Sequence, residues 1–487
     1  MRVNLRLDGR CLRRFHADLA RRLTAICDLA VEIGEGEAPP LPSGIELLFS
    51  VEALAFGLPP RQSSGLATSE ALSRWQAEGS PALTIDLCGG APAAAGRTWQ
   101  LTFDGGLGDV SLLGALAQGR APLAALREGG RIIAAGRLGT ESPGLLLPAF
   151  EDALIRTITL VVAAAGGNRG GTELAAEFDA AAPGNARLAL RTGRTLARAA
   201  ARRLYKLRYN APHWRIGWRR LAGPDLIDLK QHPASGWADL PDDGSRFYAD
   251  PFPILHKGVV TLFVEDFIHS LGKGIISAVA FGPDGALGVP EPVLELPVHL
   301  SYPFVFAREG EVWMVPESCA AGTIELFRAT NFPGGWVKEA TLVSGVVASD
   351  ATLLEHDGRW WLFATVKADG GSFSDALHLW SAENFRGPWT PHRRNPVLID
   401  IASARPAGRV VLRDGVLWRP VQDCRQGYGA ALALARITQL DDEGFAQQVE
   451  TILTAGPLWP GRRLHTLNQA GGFEFIDGSG TARKRWF

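Results

Sequence analysis

Three acids stand in apolar surroundings. Asp250 lies within FYADPF, Glu317 closes the aromatic run WMVPE, and Asp350 lies within ASDAT. A carboxyl held among apolar neighbours resists ionisation, because burial disfavours the charged form. Such a group can deliver a proton near neutral pH while a second, ionised carboxylate takes one up. Two carboxyls flanking a glycosidic bond suffice for its hydrolysis. The expected catalytic set is Asp250 and Glu317, with Asp350 assisting. Each acid also has a plainer reading. Asp250 could make an Asx-type turn with Pro251, Glu317 could pair with Arg308 or Arg328, and Asp350 could sit in a turn.

Further polar residues accompany the acids. His299, Tyr302, Arg405, Arg409, Arg419, Gln422 and His465, with Asn468 as an alternative to His465, are the expected substrate-binding set. Arginine clamps carboxylates and phosphates, so three of them point to an anionic sugar or sugar phosphate. The expected ligand is therefore a carbohydrate or sugar nucleotide. No cofactor and no metal are expected. The cysteines are widely spaced, and HExxH, EF-hand and GxSxG patterns are absent.

A repeat brings these residues together. Its copies begin at Tyr248, Ser301, Ser349, Ala404 and His465, so adjacent copies are 53, 48, 55 and 61 residues apart. Each opens on a short apolar segment and continues into a glycine-led strand: GVVTLFVEDF, GEVWMVPES, GRWWLFATV, GVLWRPVQDC and GFEFIDGSG. A third strand follows in TIELFRATNF, ALHLWSAENF and AALALARI. This is the size of a four-stranded propeller blade with its loop. Residues 205–487 accordingly read as an all-β five-bladed β-propeller, with an open β-sandwich as the alternative. The first segment of each copy should be the innermost strand, near Phe252, Phe304, Thr352, Val410 and Leu467. The strand His213–Leu221 precedes the first copy and is expected to complete the last blade, closing the ring. Trp313, Trp360 and Trp361 read mainly as blade-to-blade packing.

Residues 1–170 have another texture. Strands at PALTIDLCGG, TWQLTF and GGRIIAAGRLG alternate with a helix from Arg14 to Ala30 and another after DGGLGDV, which implies an α/β domain. LPSGIELLFSVEAL reads as a strand running into further structure, Glu151–Ala163 as helix or strand, and Ile155–Ala165 as a buried strand. The turn Asp104–Val110 could hold an anion at a helix N-terminus or simply join strand to helix. Residues 171–204, rich in Ala and Arg, read as a connector containing a helix over Thr192–Leu204.

Bulk properties bound the function. The chain has 487 residues, enough for two domains, and its formal charge is −1, which gives no electrostatic reason to expect nucleic acid as a partner. The N-terminus lacks the h-region of a signal peptide, and no apolar run is long enough to span a bilayer. With five dispersed cysteines, the expected location is the cytoplasm.

The segments WADL, FYADPFP, SYPFVF, VPES, IELFRA and WWLF resemble the N-terminal domain of the plant glucosamine inositolphosphorylceramide transferases and their bacterial relatives. That domain is similar to the five-bladed propellers of glycoside hydrolases of the arabinanase, xylosidase and invertase-like groups. The resemblance covers residues 210 to 487. It implies a base or nucleophile at Asp250, a general acid at Glu317 and a modulating acid at Asp350. The order here is Asp, Glu, Asp, where those hydrolases have Asp, Asp, Glu. The first 170 residues resemble, through WQLTFDGGLGDVSLLGALAQGRAP, the formyltransferase domain of methionyl-tRNA and sugar-nucleotide formyltransferases. Asp104 and Asp109 are retained, but that family's Asn and the His of its H-P motif are missing. The resemblance therefore implies a degenerate, formyltransferase-like scaffold, or a domain for another substrate. The functional expectation is a glycosidase or glycosyl-transferring enzyme of polysaccharide or glycoconjugate metabolism. The alternatives are a non-catalytic glycan- or sugar-nucleotide-binding propeller, and formyl or acyl transfer in the N-terminal domain.

Overall fold

The computed structural model describes residues 2–75, 81–89, 96–175, 184–367, 370–459 and 461–484. Gly90, the end of one expected strand, and residues 176–183 of the expected connector lie outside the described residues.

The N-terminal domain is a six-stranded sheet. Its strands are β1 (Arg2–Asp8), β2 (Asp28–Gly34), β3 (Leu83–Asp86), β4 (Arg97–Phe103), β5 (Leu123–Glu128) and β6 (Arg131–Arg137), in the order β2-β1-β3-β4-β5-β6. The first four run parallel, and β4 to β6 form an antiparallel meander. The helices are α1 (Arg14–Thr24), α2 (Ile45–Phe56), α3 (Gly108–Ala117), α4 (Leu146–Ala165) and α5 (Asn185–Arg208). β1 buries Val3, Leu5 and Leu7 at strand period, and α1 buries Phe15, Leu19 and Leu23 at helical period.

Three local expectations need correction. Ile45–Phe56 is a helix, because its buried residues Ile45, Leu48, Phe49 and Glu52 are spaced three or four apart. Ile155–Ala165 is the second half of α4, whose buried Leu154, Ile158 and Val161 follow the same spacing. The first helix ends at Thr24 rather than Ala30, and Asp28 already pairs with Arg2 in the sheet. Leu123–Glu128, an alanine-containing run with little strand signal, forms β5.

The rest of the chain is a five-bladed β-propeller. The inner strands of the first three blades are Arg246–His256, Ser301–Arg308 and Ala348–His356. Those of the fourth and fifth are Val411–Arg413 and Thr466–Ala470. The fourth is short because Pro406 has no N–H for the ladder and leaves only an isolated bridge to Val421. The strand Trp214–Arg220 pairs with Phe473–Ser479 and carries Ala238–Leu240 on its outer side, so the fifth blade is completed from the N-terminal side of the first. Every inner strand turns into its neighbour through a tight hairpin. Lys257-Gly258, Glu309-Gly310, Asp357-Gly358, Asp414-Gly415 and Gly471-Gly472 all have positive φ at both positions. That is the signature of the type I′ turn, whose twist matches paired strands and whose second residue is best served by glycine. It explains why glycine leads each second strand.

The α/β domain docks on the loops of blades three and four. Arg156 of α4, fully buried, lies 2.8 Å from Asp375 and donates to the Ser372 carbonyl. The Gly139 N–H donates to the other Asp375 oxygen, and a side chain at Gly139 would collide with Ile401. Glu141 accepts from the Ser372 hydroxyl, the Phe373 N–H and the Ser374 hydroxyl.

Candidate active site at the propeller channel

The site begins with a backbone irregularity repeated in three blades. Register breaks between Ala249 and Phe252, Ser301 and Phe304, and Ser349 and Thr352. The first bulged residue of each, Asp250, Tyr302 and Asp350, has positive φ, an unusual state for residues with a Cβ. Each bulge faces the end of the second strand, where Ala249 pairs with Glu265, Ser301 with Glu317 and Ser349 with Thr365. In the fifth blade Thr466 pairs with Asp477. The fold thus gathers Asp250, Glu265, Glu317, Asp350 and Asp477 at one end of the channel.

The acids are linked across the blade seams. The Asp250 N–H donates to Asp477 at 2.7 Å, and the Asp350 N–H donates to Glu317 at 2.9 Å. The Tyr302 N–H donates instead to the Asp250 carboxylate at 3.1 Å. Among the described residues Glu265, the corresponding acid of blade one, has no such donor. His299 Nε2 lies 3.4 Å from its carboxyl. His299 Nδ1 accepts the Gly274 N–H, so its proton sits on Nε2, and burial lowers its pKa and keeps it neutral.

Electrostatics separates the acids. Burial, with Asp250 and the other acids adding to it, pushes Glu265 well above the usual carboxylate range. Burial also raises Asp250 to about 6, against the opposing pull of His465. Asp350 is raised to about 7, burial again outweighing Arg405. For His465 burial opposes the charge, but Asp477, Asp250 and Asp350 overcome it and raise the pKa. Its Nδ1 lies 2.6 Å from Asp477, an ion contact outside hydrogen-bond geometry, and its Nε2 lies 3.4 Å from Asp250. The imidazolium thus sits between two carboxylates. The Thr466 hydroxyl gives Asp250 a further donor.

The other expected residues divide. Arg405 grips Asp350 through Nε at 2.6 Å, and Gln422 donates to the same carboxylate at 2.9 Å. Tyr302 is buried, and its hydroxyl is shared with Thr352 and the Gly408 N–H. Arg409 donates to the carbonyls of Pro253 and Val305, and Arg419 to those of Ser403 and Ala404. Burial lowers both pKa values, to about 10 and about 9. These two arginines hold strands together away from the acids. Asn468 accepts from the Arg409 N–H and donates to the Pro251 carbonyl. Glu317 pairs with neither Arg308 nor Arg328, which bind Glu355 and Glu339.

Sequence reasoning passes over Glu265, Asp477 and Tyr428. A signal for the first was present: Glu265, Glu317, Thr365 and Gln422 each stand seven residues after the glycine of their hairpin. Tyr428 lies under Arg405, with centroid distance 4.6 Å, and edges onto Trp214, whose ring stacks on His465 at 4.3 Å. This aromatic group borders the acids. Trp313, Trp360 and Trp361 are buried between blades, apart from it.

Asp250, His465 and Asp477 bring ligand atoms within 4.8 Å of one another, the spacing a cation would need. The imidazolium offsets the charge of the two carboxylates, while His465 Nδ1 and Asp477 Oδ1 make no hydrogen bond among the described residues. A cavity of about 290 Å³ lies elsewhere, in the α/β domain, lined by Asp8, Arg10, Arg13, His16 and Asp109 among apolar side chains. Asp104, in the glycine turn, accepts from the Leu123 N–H and from Arg120, a strand-joining role.

Residues 237–471 match the family described as glucosamine inositolphosphorylceramide transferase 1, N-terminal. The chain is 34% identical over 236 residues to glucosamine inositolphosphorylceramide transferase 1 of Oryza sativa subsp. japonica, covering 46% of this chain and 31% of that one. It is 33% identical over 272 residues to the Arabidopsis thaliana protein of the same name, covering 53% and 35%. The chain thus spans about a third of the length of these curated relatives. Among solved structures it is similar to a thermostable family-43 glycoside hydrolase, at 14% identity and TM-score 0.33, covering 46% of this chain and 78% of that one. A GH43 β-xylosidase/α-arabinofuranosidase from a compost metagenome gives 11% identity and TM-score 0.37, covering 49% and 90%.

Proposed function

We propose that the propeller is a carbohydrate-active domain that binds a glycoconjugate sugar at the acid end of its channel and cleaves or transfers a glycosyl group there. The observation that carries this reading is the split between Glu265 and Asp250. Burial and the surrounding acids push the Glu265 pKa well above the usual range, and among the described residues no main-chain N–H donates to it, which favours its protonated form. Asp250, at about 6, is ionised and steadied by Tyr302, Thr466 and His465. Neighbouring carboxyls in opposite protonation states are what acid–base glycosyl chemistry requires. In this assignment Glu265 protonates the departing oxygen, and Asp250 serves as base or nucleophile. Glu317 and Asp350 hold the charge of the site through Arg405. Trp214 and Tyr428 offer an aromatic edge for a sugar ring. The names of the relatives suggest glucosamine and inositol phosphate as the first ligands to try.

One observation favours a second reading, a sugar-binding propeller without turnover. Asp250 and Asp350 each have both oxygens engaged by protein donors, and Glu317 is tied through Oε2. Both readings meet one experiment. The full chain is offered nitrophenyl glycosides, glucosamine, inositol phosphate and sugar nucleotides, with turnover and calorimetric binding measured together. Turnover lost in Glu265→Gln supports catalysis. Binding without turnover supports the second reading, and neither binding nor turnover rejects both.

A further inference from the structure

The helix between the two domains has a composition unlike the rest of the chain. α5 carries Arg187, Arg191, Arg194, Arg198, Arg202, Arg203, Lys206 and Arg208 and no acid, in a protein of formal charge −1. Only Leu188 and Thr195 of this helix are buried. α2 packs along it. Its remaining leucines point outward: Leu190 is 56% exposed, Leu196 52%, Leu204 66% and Leu207 58%.

These leucines share one face. Leu190, Ala197 and Leu204 recur at seven-residue steps, and Leu196, Ala200, Leu204 and Leu207 at four, four and three. Both series follow the helical period, so they build one apolar stripe. Arg194, Arg203 and Arg208 are exposed along its borders. α2 adds Leu47 and Leu54, 66% and 86% exposed. Exposed leucine is a cost in water unless something covers it.

We infer that α5 is a docking surface for an anionic lipid leaflet. An apolar stripe bordered by arginine and lysine is the arrangement by which a helix lies in a bilayer interface, leucines among the acyl chains and cations at the headgroups. A second copy of this chain fits poorly, because pairing two α5 helices sets like charges against each other. The helix lies on the membrane and does not cross it; no helix among the described residues is long and apolar enough to do so. The inference does not depend on the chemistry of the propeller.

Flotation of the full chain with vesicles tests it. Phosphatidylcholine vesicles containing about one-third phosphatidylglycerol should bind the protein, and pure phosphatidylcholine vesicles should bind it at least about tenfold more weakly. High salt should release it, since the cation term is screened. The variant Leu196→Glu/Leu204→Glu/Leu207→Glu should lose about tenfold or more in vesicle affinity. Arg194→Glu/Arg203→Glu/Arg208→Glu should do the same, and all six positions are exposed, so both variants should melt as the parent does. Equal binding by parent and variants would overturn the inference, as would no binding to the anionic vesicles. A parent dimer that the leucine variant dissolves, without vesicle binding, would assign the stripe to self-association instead.

Discussion

Asp477 receives the backbone N–H of Asp250 at 2.7 Å, across the seam where the last blade meets the first. The same carboxylate holds His465, so one buried side chain closes the ring and orders the site. Asp477→Ala should leave a buried donor and a buried imidazolium without their partner. The expected loss is about 3–5 kcal/mol, the scale for breaking a buried ion pair. Urea unfolding of parent and variant measures it; an unchanged midpoint would contradict this role for the seam.

Tyr302→Phe separates packing from chemistry. The variant keeps the ring against Phe252 but removes the acceptor of the Gly408 N–H. Stability should fall by about 1–3 kcal/mol. Sugar affinity in calorimetry should stay unchanged, because the hydroxyl faces Thr352 and Gly408 rather than the acids. A large loss of affinity at unchanged stability would return Tyr302 to the ligand-binding set.

Glu265 sets a pH dependence of known sign. Its folded pKa lies above its unfolded value, so the folded state binds a proton that the unfolded state releases. Stability from this group is present below the unfolded value of about 4.5 and is lost as pH rises toward the folded one. Glu265→Gln should therefore flatten the fall in stability above about pH 4.5, so the variant gains on the parent as pH rises. The comparison is a difference between the two proteins, because His16 and His378, both lowered to about 3 by burial, contribute the opposite slope in each. Parallel curves for parent and variant would refute the assignment.

Asp250→Asn tests the proposed base. The amide keeps the size of the side chain and removes the charge facing His465. Turnover should drop by roughly two orders of magnitude or more. In the parent, activity should rise through about pH 6 as the acid cluster ionises. Steady-state kinetics across pH would show both effects; full activity in Asp250→Asn would exclude this carboxylate as base or nucleophile.

The parts of the fold legible in the sequence were those with a repeated local cause. A type I′ turn demands positive φ, glycine meets that demand, and so Gly258, Gly310, Gly358 and Gly415 mark the hairpins. Asp250 and Asp350 were legible because a polar residue interrupts an apolar inner strand. Glu265 does not stand out in VEDF, because the next residue, Asp266, is also acidic. Only the register shows that Glu265 faces the bulge while Asp266 pairs with Arg246 and Ser277. Arg409 and Arg419 show the opposite case. Their charge suggests a ligand, yet they donate to backbone carbonyls brought close by the ring and, for Arg419, to the Gln447 side chain as well. Ile45–Phe56 misled because a short apolar run fits strand and helix alike, until packing shows which residues share a face.

The ring closed by Trp214–Arg220 also sets an order of events during synthesis. This strand leaves the ribosome long before Phe473–Ser479, the strand it must join. At ~5–20 residues per second the wait is on the order of ten to fifty seconds. During that time an edge rich in tryptophan has no permanent neighbour, while four blades form behind it. A nascent chain stalled after blade four should therefore expose a strand open to capture by chaperones or by another copy, and release from the ribosome should end that exposure.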